Sequence, residues 1–366
     1  MTKRRLTQQQ KRRVSDKNLH AHTPNQETKL TAKNPADSVT LPATSLENQL
    51  GDKQPGLVIT SFGKRVLVES ENGERYTCAI RQHLGKLVAG DNVIWQTDVE
   101  AHTGVVVSVL PRAHELSRPG FRGQTRMVAA NIDFIGVVAP VAPGIHPDMI
   151  DRYLVAAMQL DIPVIIIINK VDLLHTDEDW ESIAEVLHPY DEMGIELLTA
   201  STVSKEGLDE LREFMEAKNT VFVGPSGAGK SSLINALIPD LAIRVNELSA
   251  STGLGKHTTT NSILYHLPSI DGTSRYSGNL IDSPGVRQFS PNPCSLSELE
   301  RYYPDFAPFL GQCKYNNCTH SIEPHCAIKT AVENDDIALS RYQSFQRLLE
   351  EFKAQALALA NTANPE

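Results

Sequence analysis

From residue 56 to residue 109 short runs rich in apolar and β-branched residues, 56–60, 65–69, 75–79, 92–95 and 104–109, alternate with turns. Turn residues Glu71-Asn72-Gly73 and Gly90-Asp91 separate them. Short runs of this composition bounded by turn signals read as strands, so five short β-strands are predicted, enough for a small barrel. The pattern then changes. Residues 112–126 are rich in Arg and Gly and lead into the apolar run 132–138, the first strand of a second region. Pro147 opens a helix through Leu160 in which Ile150, Tyr153, Leu154 and Ala157 repeat at helical spacing. The unbroken apolar run 163–168 is typical of a strand buried on both faces of a parallel sheet. Strands expected near 164, 196, 221, 263 and 280, alternating with helices, predict a doubly wound sheet. A last amphipathic helix is expected over 335–360, with Leu339, Tyr342, Phe345 and Leu349 on one face.

Candidate chemistry sits at the ends of these strands. Gly224-Pro225-Ser226-Gly227-Ala228-Gly229-Lys230-Ser231 follows the strand ending at Val223 and precedes a helix. Backbone N–H groups converge on phosphate oxygens only where side chains do not intervene, hence the glycines. Lys230 would reach the β- and γ-phosphates and Ser231 would hold Mg²⁺, while the helix N-terminus faces the anion. Asn169-Lys170-Val171-Asp172 follows the strand 163–168. The Asp172 carboxylate can accept from guanine N1–H and the 2-amino group, donors that adenine lacks there. Asn169 would brace base and phosphate loop, and the Lys170 stem would cover the purine. Leu198-Thr199-Ala200-Ser201 ends another strand and resembles a loop that contacts the guanine O6 through backbone N–H groups. Downstream, Lys256-His257-Thr258-Thr259-Thr260 is similar to a first switch whose threonine, Thr259, contributes to Mg²⁺ coordination. Residues 280–285 are similar to a second switch, with Asp282 on Mg²⁺ through water and the Gly285 N–H facing the γ-phosphate.

Composition narrows the class. The chain has 366 residues, 40% hydrophobic and 22% charged, which suits two or three globular domains. No apolar stretch is long enough to span a membrane, and the polar N-terminus lacks the apolar core of a secretory signal. Five cysteines, an odd count, point to a reducing cytoplasm rather than a disulfide framework. The net charge of −9 is unevenly spread, since residues 1–33 hold nine Lys or Arg against two acidic residues. That segment has little to bury, so a disordered basic tail able to bind RNA phosphates, or simply solvated, is expected. Arg65, Arg75, Arg81, His83 and Lys86 offer a second candidate RNA surface on the barrel. Near the C-terminus Cys313, Cys318, His320 and Cys326 form a Cys3His set suited to one structural Zn²⁺. His325 could compete as a ligand, though its adjacency to Cys326 makes it awkward for both side chains to reach one ion. Cys78 is expected to serve packing and Cys294 to be a free thiol.

The motifs and the Cys3His spacing resemble those of the RsgA type, the circularly permuted GTPases of bacterial small-subunit ribosome assembly, over residues 50–330. In that family the guanine tetrapeptide precedes the phosphate loop, as it does here. The resemblance implies a multidomain fold: an N-terminal OB-fold β-barrel, a central α/β circularly permuted P-loop GTPase domain and a C-terminal zinc-binding domain with helices. The expected boundaries are 1–50 for the basic tail and linker, 51–112 for the barrel, 113–290 for the GTPase and 291–366 for the zinc domain. It further implies a cytoplasmic, monomeric GTPase that binds the small ribosomal subunit and 16S rRNA and hydrolyses GTP to GDP with ribosome stimulation. The alternative is an RNA-binding scaffold with GTP as a structural or timing ligand. Val286 stands where many GTPases carry a water-orienting glutamine, which makes His257 the candidate for positioning or deprotonating the attacking water.

Overall fold

The computed structural model describes residues 50–98, 103–119, 125–238, 241, 262–269, 276–282 and 291–363. The basic N-terminal tail lies outside them.

All five strands expected in the first region are present: β1 (Lys53–Phe62), β2 (Arg65–Ser70), β3 (Arg75–Ile80), β4 (Asn92–Asp98) and β5 (Thr103–Val109). They are ordered β1-β2-β3-β5-β4, and β4 pairs back onto β1 at Lys53–Leu57, which closes a five-stranded barrel. Strict alternation sends Val58, Val66, Val68, Cys78, Val93, Trp95 and Val106 inward. Cys78 is packing, as expected; burial pushes its thiol up to about 12, so it stays protonated. A bulge between Val58 and Thr60 bends β1. Past the bulge β1 stays paired with β2 on one side and meets a strand of the second sheet on the other, at Thr60 and Ile263. Ile59 and Leu67 face away from the barrel interior into the core of that sheet.

The Arg- and Gly-rich stretch is a hairpin that the sequence reading missed, β6 (Glu115–Pro119) with β7 (Thr125–Ala130). Its signal was masked because the conspicuous arginine works as a fastener. Arg112 forks onto Asp91, Nε–Oδ1 2.6 Å and Nη2–Oδ2 2.9 Å, and the Asp91 side chain is fully buried.

The second sheet contains β8 (Phe134–Pro140), β9 (Val164–Asn169), β10 (Glu196–Ala200), β11 (Asn219–Val223), β12 (Ile263–Pro268) and β13 (Tyr276–Asp282). The order is β10-β9-β8-β11-β13-β12, with the first five strands parallel. Helices α1 (Pro147–Met158), α2 (Asp177–Glu192), α3 (Leu208–Phe214) and α4 (Lys230–Leu237) accompany them. In α1 the four residues expected on the apolar face are buried, and Pro147 sits in the first turn, where its missing N–H costs nothing. A capping box between Thr176 and Asp179 starts α2. The expected strand–helix alternation fails at one place: β12 and β13 pair antiparallel. Only residues 269–275 join them, fewer than the dozen or so that a parallel crossover needs.

The C-terminal module consists of α5 (Leu296–Arg301), a 3₁₀ segment (Pro304–Phe309), α6 (Ala327–Glu333) and α7 (Leu339–Ala363). Leu299, Tyr303, Phe306, Ile328, Phe345, Leu348, Leu349 and Phe352 form its core together with Cys318, Cys326 and Val155 of α1. The last helix thus starts at 339 rather than 335, and its buried face is centred on Phe345, Leu348, Leu349 and Phe352. Leu339, expected on that face, is 58% exposed because it is the first helical residue and extends past the packed surface. No helix among the described residues is long and apolar enough to cross a membrane.

Candidate functional site

Parallel strands bring residues distant in sequence to one edge. β10, β9, β8, β11 and β13 all end on the same side, so Ala200, Asn169, Val223 and Asp282 terminate strands along one rim. The loop 224–231 leaves β11 there and α4 begins at Lys230. Asn169, 2% exposed, donates from Nδ2 to the Ala228 carbonyl at 2.7 Å, which ties the tetrapeptide directly to the phosphate loop. Gly229 makes this approach possible: at φ 94° a Cβ would stand 2.4 Å from Asn169 Nδ2. Oδ1 of Asn169 is buried and without a partner among the described residues, a polar atom available to a ligand or water.

Asp172 Oδ1 accepts from Ser201 Oγ at 2.5 Å. Ser201 is fully buried, and its Oγ also accepts from the N–H groups of Val203 and Ser204, each at 3.1 Å. A serine held this way fixes the position of Oδ1 of the carboxylate. Val171, 2% exposed, anchors the 3₁₀ turn that carries Asp172, and Lys170 takes left-handed φ 66° with Nζ on the Ala142 carbonyl at 3.1 Å. Thr199 and Ala200 end β10, and Gly207 packs against the Thr199 carbonyl, so the three residues form one braced corner.

The ammonium of Lys230 lies 2.7 Å from the carbonyls of both Gly224 and Pro225. It therefore folds back over its own loop, in the wall of a cavity of about 450 Å³ lined also by Lys170, Gly224, Ser226, Gly227 and Ser231 among others. Cavities of this size suit a small ligand. Tyr153 of α1, 3% exposed, supports the loop from beneath: burial raises its hydroxyl, opposed by the Gly224 N–H that donates to it. Asp282 ends β13 beside β11, with Ile281 level with Val221.

A second site lies in the C-terminal module. The ligand atoms of Cys313, Cys318, His320 and Cys326 all lie within 4.8 Å of one another. His320 Nδ1 is 3.6 Å from Cys313 Sγ and 3.3 Å from Cys326 Sγ, and the Cys313 and Cys326 sulfurs are 3.9 Å apart. Tetrahedral Zn²⁺ with usual bond lengths has S–S and S–N edges of about 3.5–3.8 Å, so the set fits that ion. Burial pushes the Cys318 thiol up to about 12 and raises that of Cys326, a cost that a bound cation's charge would offset. His325 is exposed and stands outside the cluster.

The family model described as RsgA GTPase matches residues 109–292. The chain is 39% identical over 361 residues to the small ribosomal subunit biogenesis GTPase RsgA of Mannheimia succiniciproducens, covering 97% of each chain. It is 41% identical over 352 residues to RsgA 1 of Vibrio vulnificus, covering 95% of this chain and 94% of the relative. The chain belongs to the RsgA GTPase family.

Solved structures agree with this RsgA assignment. The fold is similar to YjeQ from Thermotoga maritima, with a TM-score of 0.65 and 31% identity over 82% of this chain and 99% of that one. It is also similar to YloQ, described as a circularly permuted GTPase, with a TM-score of 0.64 and 26% identity over 83% and 96%. Of the residues expected in an RsgA-type site, those of the guanine tetrapeptide, the 199–201 corner and the phosphate loop share one rim with Asp282. His257, Thr259, Gly285 and Val286 lie outside the described residues. Tyr153 and Gly207 were missed. Tyr153 looked like any apolar-face residue of α1, and a lone glycine in a polar loop carries no local signal for a carbonyl contact eight residues upstream.

Proposed function

We propose that this protein is a GTP hydrolase that acts in biogenesis of the small ribosomal subunit, binding that subunit and its 16S rRNA as a monomer. The observation that carries the reading is the junction of two motifs at one rim, with Asn169 bonded to the phosphate loop and Asp172 held by Ser201. In this reading Asp172 takes the two guanine donors, and the N–H groups near Thr199, Ala200 and Ser201 face the guanine O6. The stem of Lys170 covers the base. Lys230 exchanges its two loop carbonyls for phosphate oxygens when nucleotide enters, so the loop is already shaped and only the ammonium moves. Ser231, Thr259 and Asp282 would hold Mg²⁺, which supplies charge neutralisation at the phosphates. Gly285 donates to the γ-phosphate, and His257 positions the attacking water.

The domains assigned to this reading are the barrel at 51–112, the permuted GTPase domain at 113–290 and the zinc-binding module at 291–366, preceded by the tail at 1–50. Three separate hydrophobic cores support such a division. Because Asp282 stands at the exit of the GTPase sheet, γ-phosphate-dependent order there would pass into the zinc module. Helix α1 gives a second route: Gln159 and Asn292 exchange hydrogen bonds of 2.9 and 2.8 Å just past the second switch segment.

The deciding experiment measures phosphate release with GTP and with ATP, in the presence and absence of small subunits. GTP-selective turnover that rises with the particle is expected. Equal use of ATP would refute the site assignment, and no turnover under either condition would leave only the scaffold.

A further inference from the structure

We propose that Glu300 is the positioning residue of the metal site, accepting a hydrogen bond from the Nε2–H of His320 so that Nδ1 faces the ion. This rests on reading the Cys3His cluster as a zinc site.

The geometry leaves the imidazole one orientation. His320 Nε2 lies 3.0 Å from Glu300 Oε1, with the two side chains 5% and 17% exposed. Nδ1, on the other side of the ring, is the nitrogen that stands 3.3 and 3.6 Å from the sulfurs. The backbone enforces the same pose. His320 has left-handed φ 57°, and its carbonyl accepts from Tyr342 Oη at 2.6 Å and Gln346 Nε2 at 2.9 Å, both on α7. Glu323 closes the loop on both sides of the histidine, accepting from the Thr319 N–H at 3.0 Å and the Ser321 N–H at 3.1 Å.

The chemistry requires such a partner. A ligating imidazole is neutral, so one nitrogen offers its lone pair and the other must carry a hydrogen. Buried, that N–H needs an acceptor, and a carboxylate both fixes the tautomer and makes the ligating nitrogen more basic. Glu300 meets the requirement from a different element, since it sits on α5, the first helix described after Asp282. The segment that leaves the GTPase sheet therefore carries the group that aims the fourth ligand.

The test uses the full chain loaded with zinc. With ¹⁵N-labelled histidine, long-range nitrogen–proton spectra should show His320 metal-bound at Nδ1 and protonated at Nε2. In competition with a chromophoric chelator, Glu300→Ala should weaken zinc affinity about 10- to 100-fold, and Glu300→Gln, which keeps an acceptor oxygen, should recover part of that. Glu298→Ala removes the capping box of α5, which Glu298 forms with Ser295, without touching His320. It should cost about fivefold, the typical worth of a helix cap. Metal at Nε2, unchanged affinity in Glu300→Ala, or an equal loss in Glu298→Ala would each overturn the proposal while leaving the zinc site standing. A wild-type chain that takes up no zinc would overturn both. The nitrogen assignment is made on wild type, so it holds even if a variant folds poorly.

Discussion

Replacing Arg341 with methionine should detach the C-terminal module from the GTPase sheet more effectively than any surface change. Arg341 on α7 is 1% exposed and pairs with Asp151 of α1, which is fully buried, and with Asp305 at 2.8 Å. Its guanidinium also lies 4.5 Å from the Tyr303 ring centre. Burial drives the Asp151 carboxyl upward, and the charge of Arg341 opposes this. Without Arg341 that carboxylate keeps hydroxyl partners, including Tyr190 at 2.9 Å, and no countercharge. Breaking a buried pair from one side costs about 3–5 kcal/mol. The neighbouring pair Arg152–Glu351, 28% and 36% exposed, is worth about 0.2–1 kcal/mol, so it cannot compensate. The double variant Arg341→Met/Asp151→Leu removes both charges and should regain most of the loss, since apolar replacements of buried pairs are often neutral. Urea unfolding followed by circular dichroism, with zinc release as a reporter of the C-terminal module, measures both variants. If the double variant is as unstable as the single one, uncompensated charge is not the cause. If Arg341→Met loses less than about 1 kcal/mol, the pair is no stronger than a surface one.

Gly207→Ala should weaken GTP and GDP alike by about tenfold, because at φ 69° a Cβ would stand 1.9 Å from the Thr199 carbonyl and push the guanine-facing corner aside; unchanged fluorescent-nucleotide titrations would remove that corner from the site. Glu69→Gln should loosen the seam between barrel and sheet by about 1.5–3 kcal/mol at neutral pH, since the carboxylate lies 2.7 Å from His266 Nε2 and 2.8 Å from Arg75 Nε. Burial acts to raise the Glu69 carboxyl, but His266 and then Arg75 outweigh it and hold the group below its ordinary value. Its stabilisation is therefore complete above the ordinary carboxylate range and is lost as pH falls through the depressed value, so the two unfolding midpoints should converge only in acid. Parallel curves down to pH 2 would contradict that sign. His257→Ala should lower single-turnover hydrolysis without changing GTP affinity, and an unchanged rate would end its candidacy.

Strands such as Val164–Asn169 and the five barrel strands were legible because a single local property, a short run of apolar and β-branched residues, specifies each of them. The phosphate loop, the guanine tetrapeptide and the Cys3His spacing were legible for a related reason: their chemistry demands particular residue types at short intervals. The β6–β7 hairpin was hidden because Arg112 and its neighbours serve a partner twenty-one residues upstream, in Asp91. The antiparallel pairing of β12 with β13 follows from the length of the connection, which periodicity does not report. Sequence alone thus determined which side chains can meet a purine, a polyphosphate and a metal, because those capacities belong to the residues themselves. Tertiary structure decided which ones stand together. Asn169 touches Ala228 across fifty-nine positions, Arg341 finds Asp151 across one hundred and ninety, and Glu300 reaches the far side of the His320 ring. Such pairings depend on strand order and helix packing, which assemble over distances that no local pattern encodes.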